Sequence, residues 1–469
     1  MMPCHPLTKF LGTVAVVTLV SACSTNPVTR IFDRNGGETA EVPESPDDGR
    51  IAAVALEQSL EPDPRFDGMF ISVPPAFANT DWSQPGGEPD HVMHHLSGPE
   101  TFRFAWSSAI GDGGDKRSPL VAPPVVADGR VFTLDAEAKV SAFRVDNGNR
   151  LWDEAVAPDI RDGRRRFWRI GGGINPAQIG FGGGVAVDGD QVFMVNGFAQ
   201  AAAFNVETGE MQWEAQLSAP VRNPPTAVNG KIYVITTSNQ VVALDQTSGE
   251  TVWTHESFEE NARFLSTGSV AVDGDIVVVP FSSGEVVALD VDTGRVLWTA
   301  TVARSSRMNG LSELNDIAGS PVVDRGAVFA VSHSGQLSAI DGRTGRLAWE
   351  KPISGLNMPW VAGDYLFVMS TEAELIALSR EDGGVVWKRE LDAYENMKKR
   401  KNRITWSGPI LAGEQLIVTS SAGRMLQLSP QDGSTANEYK LKSGTTIPPV
   451  IADGTVFIIN DKARLEAWR

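Results

Sequence analysis

The sequence predicts an all-β fold, an eight-bladed β-propeller of four-stranded antiparallel blades. Three observations carry that expectation: short β-branched runs broken by glycine turns, a repeat of this pattern along the chain, and a lone early strand that matches a strand missing from the last repeat. The cleanest copy is Gly268 to Thr299, GSVAVDGDIVVVPFSSGEVVALDVDTGRVLWT. SVAV is followed by the turn Asp273-Gly274, IVVVPF by Ser283-Gly284, EVVALDV by Thr293-Gly294, and VLWT ends the unit. Each run is β-branched or alternates apolar with polar residues, and each break holds a glycine able to take the positive φ of a tight hairpin.

Further copies start at Pro123, Gly183, Pro224, Ser320, Met358, Gly408 and Pro448. Trp152, Trp213, Trp253, Trp298, Trp349 and Trp387 each stand four residues after a turn glycine; in the copy from Gly408 that place is taken by Asn437. Repeats of roughly 40 to 50 residues, each a sheet too small to bury both faces alone, mark a β-propeller. The last copy stops at Arg469 after its third strand, while TFRFAWSSAI (Thr101 to Ile110) stands alone before the first. If that strand completes the last blade, the ring closes without open edges and has eight blades.

The pattern Ala-x-Asp-x-x-Thr-Gly-x-x-x-Trp, seen best in Ala288, Asp290, Thr293, Gly294 and Trp298, resembles the repeat of the pyrroloquinoline-quinone (PQQ) dehydrogenase-like propellers from Thr101 to Arg469. The repeat speaks for the scaffold and not for an activity, because its Trp and Gly are docking residues. A periplasmic PQQ-dependent quinoprotein is therefore one expectation to weigh. That resemblance implies a vicinal Cys-Cys pair and an acidic Ca²⁺ site, and the only cysteines are Cys4 and Cys23.

Residues 1–22 have Lys9, an apolar run from Phe10 to Val20 and a small-residue end, which makes a secretory signal. Val20-Ser21-Ala22-Cys23 resembles the bacterial lipobox, which implies cleavage before Cys23 and acylation of that residue. Ser24, in place of an Asp, implies sorting to the outer membrane. Residues 23–49 are rich in Asn, Pro, Thr, Gly and acids and read as a flexible tether. Residues 50–100 read as an irregular extension packed on the propeller rim, and 101–469 as the propeller. With Cys23 acylated no thiol is left for a disulfide, so the ring is expected to hold by burial and strand pairing.

The formal net charge is −17, and loss of Lys9 with the signal makes it about −18, which argues against nucleic acid and anionic lipid as partners of the body as a whole. Basic residues cluster in RDGRRRFWR (161–169) and KKRKNR (398–403), which read as solvated inserts or as docking patches. His91, His94 and His95 share a helical spacing, but the motif contains no acidic or Cys partner and Pro89 lies just upstream, so no metal site is expected. The Gly-rich stretch 171–184 lacks the strand-then-helix setting of a nucleotide site. No nucleophile motif stands out, no cofactor is expected, and the reading is of a protein without catalysis.

A lipid-anchored eight-bladed propeller with no catalytic set resembles the BamB family of the outer-membrane β-barrel assembly (Bam) machinery. That resemblance implies a partner, the periplasmic POTRA domains of a BamA-like barrel protein, and a role in delivering unfolded outer-membrane proteins. It also implies two contact loops. Leu314-Asn315-Asp316 stands in the place of one of them just before Pro321-Val322-Val323, with Asp316 matching the family pattern and Ala318 departing from its second Asp. Arg263, Phe264 and Leu265 occupy the region of the other, with the Arg displaced.

Overall fold

The glycine-broken runs form strands with the expected turns between them. In a computed structural model, which describes residues 60–111, 120–156, 181–257, 268–302, 317 and 319–469, the pattern copy becomes strands Ala271–Asp273, Ile276–Pro280, Glu285–Asp290 and Val296–Thr301, hydrogen-bonded in that order. Its last turn explains the Asp-x-x-Thr-Gly spacing. The Asp290 carboxylate accepts from the Thr293 hydroxyl at 2.5 Å and from its backbone N–H at 2.9 Å, while Gly294 takes φ +67°. Such Asx capping closes a tight turn without help from the core. The same bonds hold the Asp290 carboxyl below its ordinary range.

Eight such sheets make the blades: 125–155, 183–216, 226–256, 271–301, 322–351, 360–390 and 406–440 are blades 1 to 7. Blade 8 joins 450–468 to Phe104–Ala109, which lies antiparallel on Arg464–Trp468 with Ala109 opposite Arg464. The ring is thus closed by the N-terminal strand, as the offset of the repeat predicts. First strands of neighbouring blades touch and are buried, whereas fourth strands alternate between exposed and covered residues, so first strands line the axis.

Blades are joined by one device used seven times. Each fourth-strand Trp lies under the last turn of the next blade and donates its indole N–H to a carbonyl there: Trp152 to Val206 at 3.1 Å, Trp213 to Gln246 at 2.8 Å, Trp298 to Gly342 at 2.7 Å and Trp387 to Pro430 at 2.8 Å. Trp253 and Trp349 do the same, and Trp106 of the closing strand bonds Val145 at 3.0 Å. The turn glycine is required twice over. At Gly294 φ is positive, and a Cβ would stand 2.5 Å from the Trp253 ring.

Asn437, the eighth position, now has a physical reason. A Trp there would need the last turn of blade 8, but that blade's third strand ends at Trp468 and its fourth begins at Phe104, with no turn between them. The seam is filled differently. Tyr439 packs on Phe102 (5.9 Å between centroids) and on Trp468 (6.1 Å), and its hydroxyl accepts from the Phe102 N–H at 3.0 Å.

Residues 60–103 correct an expectation. The sequence places this extension on the rim, whereas residues 77–97 make a circuit of the axis, touching every blade in turn. Asn79 bonds blade 8 (Ile451, Asp453), Trp82 blade 1 (Val126), Ser83 blade 2 (Val187), Gln84 blades 2 and 3 (Val187, Ala227), and Pro89 blade 4 (Val272). Asp90 then bonds blade 5 (Val323), His94 accepts from Trp360 of blade 6, and Leu96 bonds blade 7 (Leu411). The circuit closes on itself where Phe77 donates to His95 and Ser97 to Phe77. The cause is an unmet demand: first strands have no neighbour on their axial side, and buried backbone groups need partners. In blades 1 to 5 the next-to-last residue of the first strand donates its N–H to this segment.

Candidate interaction surface

Because strands alternate in direction, the turns between first and second and between third and fourth strands share one face. The sealing segment lies on that face. The connections from each fourth strand to the next blade share the other, and those that follow Val156, Ser257 and Val302, with residues 391–405, start there. The same face opens into an axial cavity of about 310 Å³. Its walls are the entries to the first strands, including Pro123, Pro224, Pro409 and Pro449, and its floor is Trp82, Pro85 and Gly86 of the sealing segment. Trp82 stacks on Trp360 there, with centroids 6.2 Å apart. The signal for this mouth was present in the sequence as a proline ahead of most first strands, but it reads equally as a strand boundary.

The expected contact residues Arg263, Phe264, Leu265, Leu314, Asn315 and Asp316 lie outside the described residues, as do Cys23, the basic run 161–169 and residues 50–59. The ends of the two inserts are described. Ser269, after the first, donates its N–H to Oγ of Ser320, after the second, at 2.9 Å. Ile317, next to Asp316, is fully buried among Val302, Val323 and Val328 of blades 4 and 5. The two inserts therefore return to the ring side by side.

The three histidines that share a spacing do not share a ligand. His91 Nδ1 bonds the Pro321 carbonyl at 2.7 Å, and burial pushes this imidazole down to about 4, so it is neutral at pH 7. His95 bonds the Pro74 carbonyl through Nδ1 and accepts from the Glu414 N–H at Nε2. His94 Nε2 stands 3.9 Å from Asp324. They tie the sealing segment to blades 5, 6 and 7, and among the described residues no group of three His, Cys, Asp or Glu could hold a metal. The axial cavity does not fit PQQ with Ca²⁺ either: among the described residues, none of those lining it is charged, so neither the cation nor the quinone carboxylates would meet an opposite charge.

Fold and repeat together define a PQQ-like-repeat propeller. The likeness of fold reaches in two directions: the chain superposes on a europium-containing methanol dehydrogenase with a TM-score of 0.63 at 13% identity, covering 81% of this chain and 89% of that one, and on BamB from Moraxella catarrhalis with a TM-score of 0.64 at 21% identity, covering 79% and 100%. At these identities both likenesses concern the fold alone. Sequence separates them. The family described as outer membrane protein assembly factor BamB matches residues 153–389, half of the chain, and the chain belongs to that family. Among relatives, outer membrane protein assembly factor BamB of Moranella endobia (strain PCIT) is 26% identical over 297 residues, covering 62% of this chain and 73% of the relative.

Proposed function

We propose that this chain is a non-enzymatic scaffold subunit of the Bam complex, held at the periplasmic face of the outer membrane by acylated Cys23 and docked through its two neighbouring inserts on the POTRA domains of a BamA-like protein. There it assists insertion of outer-membrane proteins. The observation that carries this reading is family membership, and the shared footing of the inserts through Ser269 and Ser320 supports one contact patch. Strands and docking tryptophans are committed to the ring, which leaves specificity to the inserts. Phe264 and Leu265 beside polar residues have the composition of a small hot spot.

Recovery of the partner from detergent-solubilised envelopes tests the reading. Asp316→Arg, or Phe264→Ser with Leu265→Ser, is expected to abolish co-purification of a large barrel protein with periplasmic repeats. Stability is expected to change by only about 0.5 kcal/mol, the usual range for surface changes. Undiminished recovery from both variants would move the interface elsewhere.

The anchor has its own test. Cys23→Ser is expected to leave the protein soluble in the periplasm or retained with its signal, read by fractionation and by the mass of the N-terminus. A processed Cys23→Ser protein that still sediments with the outer membrane would overturn acylation at this residue.

A further inference from the structure

We propose that the hairpin Tyr394–Arg403 is a second membrane contact, a basic finger that binds the anionic headgroups of the bilayer on which the propeller is anchored. The segment is more than a solvated loop. Tyr394–Asn396 and Lys401–Arg403 pair as two short strands, with Tyr394 opposite Arg403 and Asn396 opposite Lys401. The turn between them is Met397-Lys398-Lys399-Arg400. It is held by the Lys399 N–H on Asn396 Oδ1 at 3.0 Å, by Asn402 Nδ2 on Glu395 at 2.7 Å, and by Arg400 and Asn402 in the left-handed region. The tip therefore presents three successive cations and Met397, which is 56% exposed.

These charges are uncommitted. Arg403 reaches Glu372 at 3.4 Å, but among the described residues no carboxylate lies within ion-pair distance of Lys398, Lys399, Arg400 or Lys401. In a chain of net charge −17 such a concentration stands out against its surroundings. The opposite face is acidic: Asp128, Asp190, Asp275 and Asp453 sit in turns between first and second strands, and Asp188 and Asp273 end the first strands beside them. The molecule is polarised, and an anionic surface would attract the hairpin side and repel the other.

A second, independent observation concerns where the described chain begins. Leu60 packs against the apolar cluster of blades 5 and 6, Glu61 pairs with Lys388 at 3.6 Å, the Asp63 N–H donates to Val385 at 2.8 Å, and Arg65 pairs with Asp382 at 2.8 Å. Followed from Arg65 back to Glu61, the chain climbs the fourth strand of blade 6 toward Glu390, the end from which the hairpin grows. The described chain thus begins on the blade whose fourth strand leads into the hairpin. Clusters of basic residues beside an anchor bind anionic bilayers, and a lipid chain with a polybasic patch holds far better than either alone. The exposed Met397 adds an apolar contact at headgroup depth. Anchoring at Cys23 supplies the orientation in this argument, while the hairpin's own affinity stands without it.

The test uses the chain from Ser24 to Arg469, which carries every described strand and the whole sealing segment but not Cys23. Co-sedimentation with phosphatidylglycerol-containing vesicles at low salt is expected to show binding that vesicles of phosphatidylcholine alone do not. Each basic residue near an anionic surface raises partition about fivefold, so Lys398→Gln, Lys399→Gln and Arg400→Gln together are expected to lower it about a hundredfold. Arg295→Gln, Arg343→Gln and Arg346→Gln, the same charge change on the acidic face, are expected to leave it within about twofold. Equal binding of the hairpin variant and the parent, or no preference of the parent for anionic vesicles, would overturn the proposal. So would a hairpin variant that loses recovery of a protein partner while the parent ignores vesicles, since the finger would then read an acidic protein surface. Because no partner protein is present in the vesicle assay, its outcome is separate from that of the assembly reading.

Discussion

A chain that begins at Gly111 is expected to lose the ring and not merely one strand. Phe104–Ala109 supplies the outer strand of blade 8, and Trp106 is the tryptophan that docks this blade beneath the last turn of blade 1. Without them Arg464–Trp468 becomes an edge, and the first strands lose the segment that satisfies their axial backbone groups. Aggregation on expression, seen by light scattering, is the expected outcome. Trp106→Ala gives the graded version: it removes the indole contact and its hydrogen bond to Val145 and is expected to cost about 3 kcal/mol in denaturant unfolding. A truncated protein as heat-stable as the parent would contradict the closure.

The second large effect is expected from a single side chain on the axis. Gln84 is 2% exposed and makes three buried bonds, Nε2 to Val187 O at 3.0 Å and to Ala227 O at 2.8 Å, and Oε1 from Ala227 N–H at 3.0 Å. Gln84→Leu keeps the volume but leaves a donor and two acceptors of two blades unmet, each a cost of about 1–3 kcal/mol when buried. A loss of about 3 kcal/mol or more is expected, read as a lower midpoint in urea. An unshifted midpoint would show that water replaces Gln84 at no cost and that the circuit does not brace blades 2 and 3.

What was legible in the sequence was whatever repeats. Turn glycines, Asp-x-x-Thr caps and docking tryptophans recur at fixed offsets because the same contact is made at each blade boundary, so the blade count and the offset closure could be read before the structure. Asn437 could be noticed but not understood, since the reason lies in a turn that blade 8 lacks. The sealing segment was illegible for the opposite reason. Residues 77–97 meet each blade through one or a few bonds, many from backbone atoms, and a segment that follows a circle has neither the two-residue nor the 3.6-residue period. The spacing of its histidines is that of one helical face, but the backbone there is no helix, since His91 and His94 have positive φ. The contact inserts carry family likeness but no repeat, and Arg263 to Leu265 and Leu314 to Asp316 lie outside the described residues.

The circuit of residues 77–97 also sets an order of events. These residues and the closing strand precede every blade in the chain, yet their partners extend to Asp453 and Trp468 at its far end. Contacts across such sequence distances are the slowest to form, because the whole intervening loop must be organised first. No partial product can therefore satisfy the early segment: a chain stopped after any blade short of the last still leaves Asn79 and Phe104 without their partners. Completion of the chain is thus registered at its described beginning, where the contacts of Asn79 and Phe104 form only when the last blade arrives.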